Sequence, residues 1–125
     1  MIEARCTLSM LIRMKQRGEK FAMLTAYDHP TAQAAQLAGV HALLVGDSMG
    51  MVVLGYENTR TIPLSVLLIV SEAVRRGAPN VFLVGDMPYT TMNEGEAAIL
   101  DASRRFRDEC GCDAVKIECE PQHDR

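Results

Sequence analysis

Acidic side chains follow three short apolar segments of this sequence. Asp47 and Ser48 come after the first segment, Asp86 after the second, and Lys116 and Glu118 end the third. If each segment is a buried parallel strand, these residues lie at the carboxyl ends of neighbouring strands, where α/β folds bind ligands. Three carboxylates with no histidine among them favour a cation with oxygen ligands, such as Mg2+. The pattern therefore predicts a magnesium site formed by Asp47, Asp86 and Glu118.

Each of these residues also has a purely structural interpretation. Asp47 alone fits a turn or a helix cap, and Lys116 fits a lysine that extends from a strand end into solvent. The repetition favours a shared site, because residues 41–50 read HALLVGDSMG and residues 80–89 read NVFLVGDMPY. Lys116 and Glu118 are two residues apart, so their side chains leave a strand on the same face.

The elements that must position these residues alternate along the chain. Thr7 is predicted to cap an amino-terminal helix that Gly18 ends, and Asp28 to cap a second helix over residues 29–37. Tyr27, just after the first strand, either lines the pocket or packs as an ordinary aromatic. The remaining predicted elements are strands at residues 21–26, 42–45, 80–85 and 113–118, a flap at 49–61, and helices at 63–76 and 93–110.

The last of these helices is predicted to begin at a cap supplied by Thr91 or Asn93. Ile99, Ala102 and Phe106 then recur at helical spacing and form its buried stripe. Strands separated by helices of this length form a parallel sheet with right-handed crossovers. Both an open four-stranded sheet and the amino-terminal half of a (β/α)8 TIM barrel fit this α/β pattern. Residues 1–125 are expected to form one partial domain.

The composition limits the class of protein. The chain has 125 residues, a net charge of −3 and 48% hydrophobic residues, which fits a soluble globular unit with a core. Two groups of its arginines lie on predicted helices and are expected to form solvated faces, with no nucleic acid as partner. They are Arg75 and Arg76 on one helix and Arg104, Arg105 and Arg107 on the other. The apolar segment 64–70 is too short to span a membrane, and with no secretory leader we expect a cytoplasmic protein.

Four cysteines invite a zinc interpretation. Cys110 and Cys112 form a C-x-C pair that Cys119 and His123 would complete. A strand over residues 113–118 would separate Cys112 from Cys119 by roughly 20 Å, however, at about 3.3 Å per residue. We therefore expect free thiols in a reducing compartment.

Five motifs, taken in order and spacing, resemble one enzyme family. They are TAYD at 25–28, LLVGDSMGM at 43–51, AVRRGAPN at 73–80, VGDMPY at 84–89 and VKIE at 115–118. Together they resemble the amino-terminal half of ketopantoate hydroxymethyltransferase, also called 3-methyl-2-oxobutanoate hydroxymethyltransferase. The resemblance runs from about Thr7 to Glu118. It implies half of a (β/α)8 barrel, and as partner a homo-oligomer, decameric in the family, or a complementing half-barrel.

The resemblance also implies a reaction and its site residues. The family transfers a hydroxymethyl group from 5,10-methylenetetrahydrofolate to 3-methyl-2-oxobutanoate and so makes ketopantoate for pantothenate and coenzyme A biosynthesis. Carried over by motif, Asp47, Asp86 and Glu118 match the Mg2+ site, with Glu118 acting directly or through water. Asp47, Ser48, Asp86 and Lys116 match the contacts to the keto acid. A bound cation makes the C3 proton of a 2-keto acid more acidic and stabilises the enolate oxygen.

This sequence departs from the family pattern at three places. The family's general base is a glutamate on a later strand, so no residue of this chain is given that role, and a truncated chain with little activity is expected. Pro63, Val66 and Val70 stand where the family has a threonine, an acid and a histidine. Cys119 and Glu120 replace a pair of glycines.

Two other functions fit parts of the pattern. One is a Mg2+-dependent barrel enzyme of the phosphoenolpyruvate mutase and isocitrate lyase type, although GDSMG and TAYD favour the transferase. The other is a non-catalytic remnant that binds a barrel partner through open sheet edges.

Overall fold

A computed structural model describes residues 4–119 and contains one parallel sheet. The four strands stand in the order β1-β2-β3-β4, and every neighbouring pair is parallel. The strands are β1 (Met23–Thr25), β2 (Ala42–Val45), β3 (Phe82–Asp86) and β4 (Ala114–Lys116). The helices are α1 (Leu8–Gln16), α2 (His29–Leu37), α3 (Met49–Val52), α4 (Leu64–Gly77), α5 (Tyr89–Met92) and α6 (Glu96–Asp108). Four parallel strands with intervening helices are the architecture that the sequence predicted.

The first two helices begin at the predicted caps. The Thr7 side chain accepts a hydrogen bond from the backbone N–H of Met10, and Asp28 accepts one from Thr31. Each bond satisfies a backbone donor that the first turn of a helix leaves free. Because Pro30 has no N–H and its φ is fixed near the helical value, it fits the first turn of α2. The strands β1 and β4 are shorter than predicted, with three residues each.

The predicted start of the last helix was wrong. Residues 89–92 form the separate helix α5, and Asn93 is its carboxyl-terminal cap. Gly95 then has a φ of 99°, a left-handed conformation that side chains other than hydrogen disfavour, and α6 begins after it. The cap of α6 is therefore Gly95, which provides no side-chain hydrogen bond. The predicted flap at residues 49–61 likewise contains a single helical turn, α3.

The core lies between the sheet and the helices. Ala102 and Phe106 of α6 are fully buried as predicted, and Ile99 packs against them at the edge of the core. By contrast, Met23 and Leu24 on the edge strand β1 are about half exposed, at 45% and 52%. Within residues 4–119 no helix is long and apolar enough to cross a membrane.

The prediction that Arg75 belongs to a solvated helix face was also wrong. Its guanidinium donates to Asp113 at 2.7 Å and to backbone carbonyls of Val81 and Gly111, and its side chain is only 15% exposed. Burial lowers the pKa of Arg75, while the Asp113 carboxylate opposes that change. The last turn of α4 packs against two loops whose backbone carbonyl oxygens need hydrogen-bond donors. The guanidinium of Arg75 provides these donors. It thereby fixes the amino end of β4 against β3.

Candidate functional site

The carboxyl ends of β2, β3 and β4 bring four of the five predicted site residues into one chain of contacts. In the register of the sheet, Val45 pairs with Gly85 and Asp86 pairs with Lys116. Asp86 and Lys116 therefore lie side by side on neighbouring strands. Asp47 follows the end of β2 by two residues, and Glu118 follows the end of β4 by two residues.

Asp86 is the centre of this group. Its side chain is only 2% exposed, and both carboxylate oxygens are engaged. Oδ2 accepts a hydrogen bond from the backbone N–H of Asp47 at 2.9 Å, and Oδ1 accepts one from Nζ of Lys116 at 2.9 Å. A buried carboxylate is stable only when it is paired and hydrogen-bonded. Asp86 thus holds the ends of β2 and β4 together at the site.

Lys116 joins two of the acids. Its Nζ donates to Glu118 Oε1 at 2.9 Å as well as to Asp86. Burial acts to lower the pKa of Lys116, but the hydrogen bonds to Asp86 and Glu118 and their charges outweigh it, so the pKa is raised. The side chain is therefore a cation at neutral pH. Glu118 itself is 70% exposed and is reached only through this lysine among the contacts described.

Asp47 is partly buried close to two other carboxylates. Its pKa is raised, first by burial and then by the carboxylates of Asp86 and Glu118, while Lys116 and a hydrogen bond from Thr59 act in the opposite direction. Three carboxylates surround a single ammonium group, so the cluster has net negative charge. Asp47 and Glu118 both line a cavity of about 230 Å³. The site is thus a small negative pocket open to solvent.

The titration of Asp47 gives a testable pH dependence. Because its folded pKa lies above its unfolded pKa, the folded state binds the proton more tightly, and stability falls as the pH rises through the folded value. In chelator at pH 7, Asp47→Asn is therefore expected to raise the melting temperature by a few degrees. At about pH 3, below the usual pKa of an aspartate, the gain should vanish in thermal melts. The exposed Asp101 of α6 gives the control Asp101→Asn, which should show no such pH-dependent gain; a gain that persists at pH 3 would contradict the assignment.

Ser48 lies beside the acids and contacts an aromatic residue from the neighbouring strand. Its hydroxyl is 2.8 Å from the hydroxyl of Tyr27, which comes two residues after β1. The Tyr27 ring packs partly buried against the hydrophobic core, as an ordinary aromatic does, while its hydroxyl reaches Ser48. Ser48 occupies the cap position of α3 but makes no capping hydrogen bond. Among the described contacts, its hydroxyl is therefore bonded to Tyr27 and not to the helix backbone.

The flap supplies residues that the sequence did not single out. Thr59 and Arg60 line the cavity together with three residues that follow β3, namely Met87, Tyr89 and Met92. The Arg60 guanidinium lies 5.9 Å from the centre of the Tyr89 ring, within the range of a cation–π contact. The sequence indicated Thr59 and Arg60 only through the polar segment after Asp47. That segment predicted a flap over the carboxyl ends of the strands, but not which residues the flap contacts.

Residues 4–119 contain no group of three or more histidine, cysteine, aspartate or glutamate side chains placed to hold a metal ion together. All four cysteines are free thiols. Burial raises the pKa of Cys110 to about 11 and that of Cys112 to about 12, so neither is a thiolate near neutral pH. His123, the fourth ligand of the zinc interpretation, and Glu120, part of the departure from the family, lie outside the described residues.

Comparison with known proteins identifies the family. The sequence model described as "Ketopantoate hydroxymethyltransferase" matches residues 5–124. The chain belongs to the ketopantoate hydroxymethyltransferase family. Two curated relatives are both named 3-methyl-2-oxobutanoate hydroxymethyltransferase. The one from Thermus thermophilus is 51% identical over 82% of this chain, and the one from Geobacillus kaustophilus is 49% identical over 84%.

This member of the ketopantoate hydroxymethyltransferase family matches only part of its relatives. It spans 39% of the Thermus protein and 38% of the Geobacillus protein. The family assignment confirms the resemblance predicted from the five motifs and makes the chain a member of a transferase family. The roles of Asp47, Ser48, Asp86, Lys116 and Glu118 stay predictions.

Solved structures show the same fold. A phosphonopyruvate hydrolase in complex with oxalate and Mg++ aligns with a TM-score of 0.70 and 16% identity, covering 87% of this chain and 38% of that one. A 2,3-dimethylmalate lyase, described as a PEP mutase/isocitrate lyase superfamily member, aligns with a TM-score of 0.68 and 20% identity, covering 92% and 41%. These matches confirm the predicted fold, four parallel strands of a half-barrel.

Proposed function

We propose that this chain provides the cation and keto-acid half of a 3-methyl-2-oxobutanoate hydroxymethyltransferase site, formed by one partial barrel domain over residues 1–125. The reaction would move a hydroxymethyl group from 5,10-methylenetetrahydrofolate to 3-methyl-2-oxobutanoate, in cytoplasmic pantothenate and coenzyme A biosynthesis. The observation that supports this function is the buried Asp86, bonded on one side to Asp47 and on the other to Lys116. This is the charge pattern that a cation and an anionic ligand need at adjacent positions.

The donor chemistry of the site fits Mg2+. Asp47, Asp86 and Glu118 offer only oxygen atoms, and burial, together with the negative charges of Asp86 and Glu118, raises the pKa of Asp47. Mg2+ in proteins is usually held by one or two carboxylates, with waters and substrate completing its shell. Asp86 accepts a 2.9 Å hydrogen bond from the backbone N–H of Asp47, and we propose the carboxylates of these two residues as direct ligands. The exposed Glu118 then acts through water.

The cationic and hydroxyl groups have complementary roles in the proposal. Mg2+, when bound, would supply Lewis acidity toward the carbonyl of a 2-keto acid. Lys116 places an ammonium group 2.9 Å from Asp86 and is held there by Glu118. It would pair with the substrate carboxylate or with oxyanion charge that develops during the reaction. Ser48 would donate a hydrogen bond to the same ligand.

The proposal leaves two functions to other parts of the protein or to partners. The resemblance assigns the general base to a later strand, and we assign no acid of this chain to that role. The exposed edge strand β1, with Met23 and Leu24 about half exposed, supports a covering partner, either a complementing half-barrel or another copy. We propose no nucleic acid or membrane as partner.

Calorimetric titration tests the proposed function directly. The 125-residue chain is expected to bind 3-methyl-2-oxobutanoate in the presence of Mg2+ and to lose that binding in EDTA, because the carboxylates alone repel an anion. Without an assigned base it should show no turnover with 5,10-methylenetetrahydrofolate. Keto-acid binding that is equally strong in EDTA would contradict a Mg2+-assisted site. Turnover of oxaloacetate or isocitrate would instead favour the mutase and lyase type of enzyme.

A further inference from the structure

The hydrogen bond between Tyr27 and Ser48 joins two strand ends at the site. Both side chains are half-buried, and their hydroxyl oxygens are 2.8 Å apart although the residues are 21 positions apart in the chain. Tyr27 follows β1, whereas Ser48 follows β2. The contact is therefore a cross-strand connection that orders one hydroxyl relative to the other.

Ser48 also lies close to Asp86. A β-carbon added at Gly46 would be 3.4 Å from Ser48 Oγ and 3.7 Å from Asp86 Oδ2. The two oxygens therefore flank the same point of the backbone, each at ordinary contact distance from it. Tyr27, Ser48 and Asp86 thus form a row across the ends of β1, β2 and β3.

The direction of the hydrogen bonds follows from the charge of the ligand. A keto-acid carboxylate only accepts hydrogen bonds, so Ser48 must donate its single proton to it. The Ser48 oxygen can then still accept, and within the described contacts Tyr27 is the group placed to donate to it. A donor that is itself hydrogen-bonded in this way is polarised and held in one rotamer, which strengthens its own bond to an anion.

We propose that Tyr27 is a positioning residue, whose phenol donates to Ser48 and so aims the serine hydroxyl at the carboxylate of the keto acid. This inference rests on the proposed function, because it requires a keto-acid anion at Ser48. Tyr27 itself does not contact the reacting atoms. Its effect passes entirely through Ser48.

A double-mutant cycle tests this dependence. Binding of 3-methyl-2-oxobutanoate is measured in saturating Mg2+ for the wild-type chain, Tyr27→Phe, Ser48→Ala and the double variant. Tyr27→Phe is expected to weaken binding roughly three- to tenfold, the range for one hydrogen bond to a polarised donor. In the Ser48→Ala background the same substitution should have no effect, because the group it positions is gone.

Two further measurements separate positioning from a structural role. The affinity for Mg2+ alone should be the same in Tyr27→Phe and wild type, because the proposed ligands are carboxylates. The matched control is Tyr56→Phe, which removes a phenol from the flap, near Gly50, and should leave keto-acid affinity unchanged.

The outcomes distinguish this inference from the proposed function. An equal loss of keto-acid affinity from Tyr27→Phe in both backgrounds would overturn the positioning role while the proposed function stands. A parallel loss of Mg2+ affinity would overturn it as well, since it would indicate a general disturbance of the site. Wild-type chain that binds Mg2+ but no keto acid would contradict the proposed function itself.

Discussion

Replacement of Asp86 by asparagine is expected to lower the affinity of the chain for Mg2+ about a hundredfold or more and to abolish Mg2+-dependent binding of 3-methyl-2-oxobutanoate. Even substitutions of residues that only support metal ligands cost roughly 10- to 100-fold, and we propose Asp86 as a direct ligand. Asparagine has the same shape and keeps an oxygen for the Asp47 N–H. The change therefore removes the charge but keeps the size of the side chain, and its NH2 group faces Nζ of Lys116, which loses its buried acceptor.

Calorimetric titration with Mg2+, followed by the keto acid, measures the effect. The matched control is Asp101→Asn, which makes the same chemical change on the exposed face of α6 and should bind both ligands as wild type does. Thermal melts show whether each variant is folded before it is titrated. A folded Asp86→Asn protein with Mg2+ affinity within about threefold of wild type would mean that the cation is held elsewhere.

The sequence predicted the fold well where one local signal was sufficient. Short apolar segments that end in glycine and an acid became β2 and β3, because a strand buried on both faces needs a continuous apolar run. Asp28 and Pro30 predicted the start of α2 because cap and first-turn chemistry act within a few residues. The start of α6 was missed because Asn93 is an equally good cap, and only the left-handed backbone at Gly95 decides between them.

Part of the candidate site could be predicted from the sequence, and part depends on how the strands pair. The alternation of strands and helices was sufficient to place Asp47 and Asp86 at the same edge, because parallel strands align their carboxyl ends. The bridge that Lys116 makes between two acids depends on the pairing of Asp86 with Lys116 across β3 and β4. The side-chain conformation of a long lysine is decided by such neighbours. The Lys116 contacts therefore could not be predicted from the sequence until the pairing of β3 with β4 was known.

Arg75 shows why a charge pattern by itself can mislead. Two adjacent arginines near the end of a helix are typical of a solvated face, and Arg76 does pair with Glu72 at the surface. Arg75 points instead toward loop carbonyls and Asp113. Those acceptors come from segments up to 38 residues away in the chain. Tertiary contacts therefore decide whether Arg75 is exposed to solvent or bonded to these loops.

Truncation of Phe106 to alanine is expected to cost about 3–5 kcal/mol of unfolding free energy, the usual range for a large buried aromatic. The ring is fully buried and packs on the sheet at Gly85, where an added β-carbon would lie 2.5 Å from the ring atom Cδ1. Because Gly85 directly precedes Asp86, the same contact sets the position of the central carboxylate. The cavity left by alanine should therefore loosen the site as well as the core.

Urea denaturation at pH 7 measures the stability, and calorimetric titration with Mg2+ measures the site. The control is Phe21→Ala, whose ring is 42% exposed and contacts His41 edge-on; it should cost under about 1 kcal/mol, as surface substitutions usually do. For a domain with a typical stability of about 5–15 kcal/mol, the Phe106 variant loses a large part of the total. If it stays folded and binds Mg2+ as tightly as wild type, the packing of α6 against β3 does not position Asp86, and the carboxylate is held by its hydrogen bonds to Asp47 and Lys116 alone.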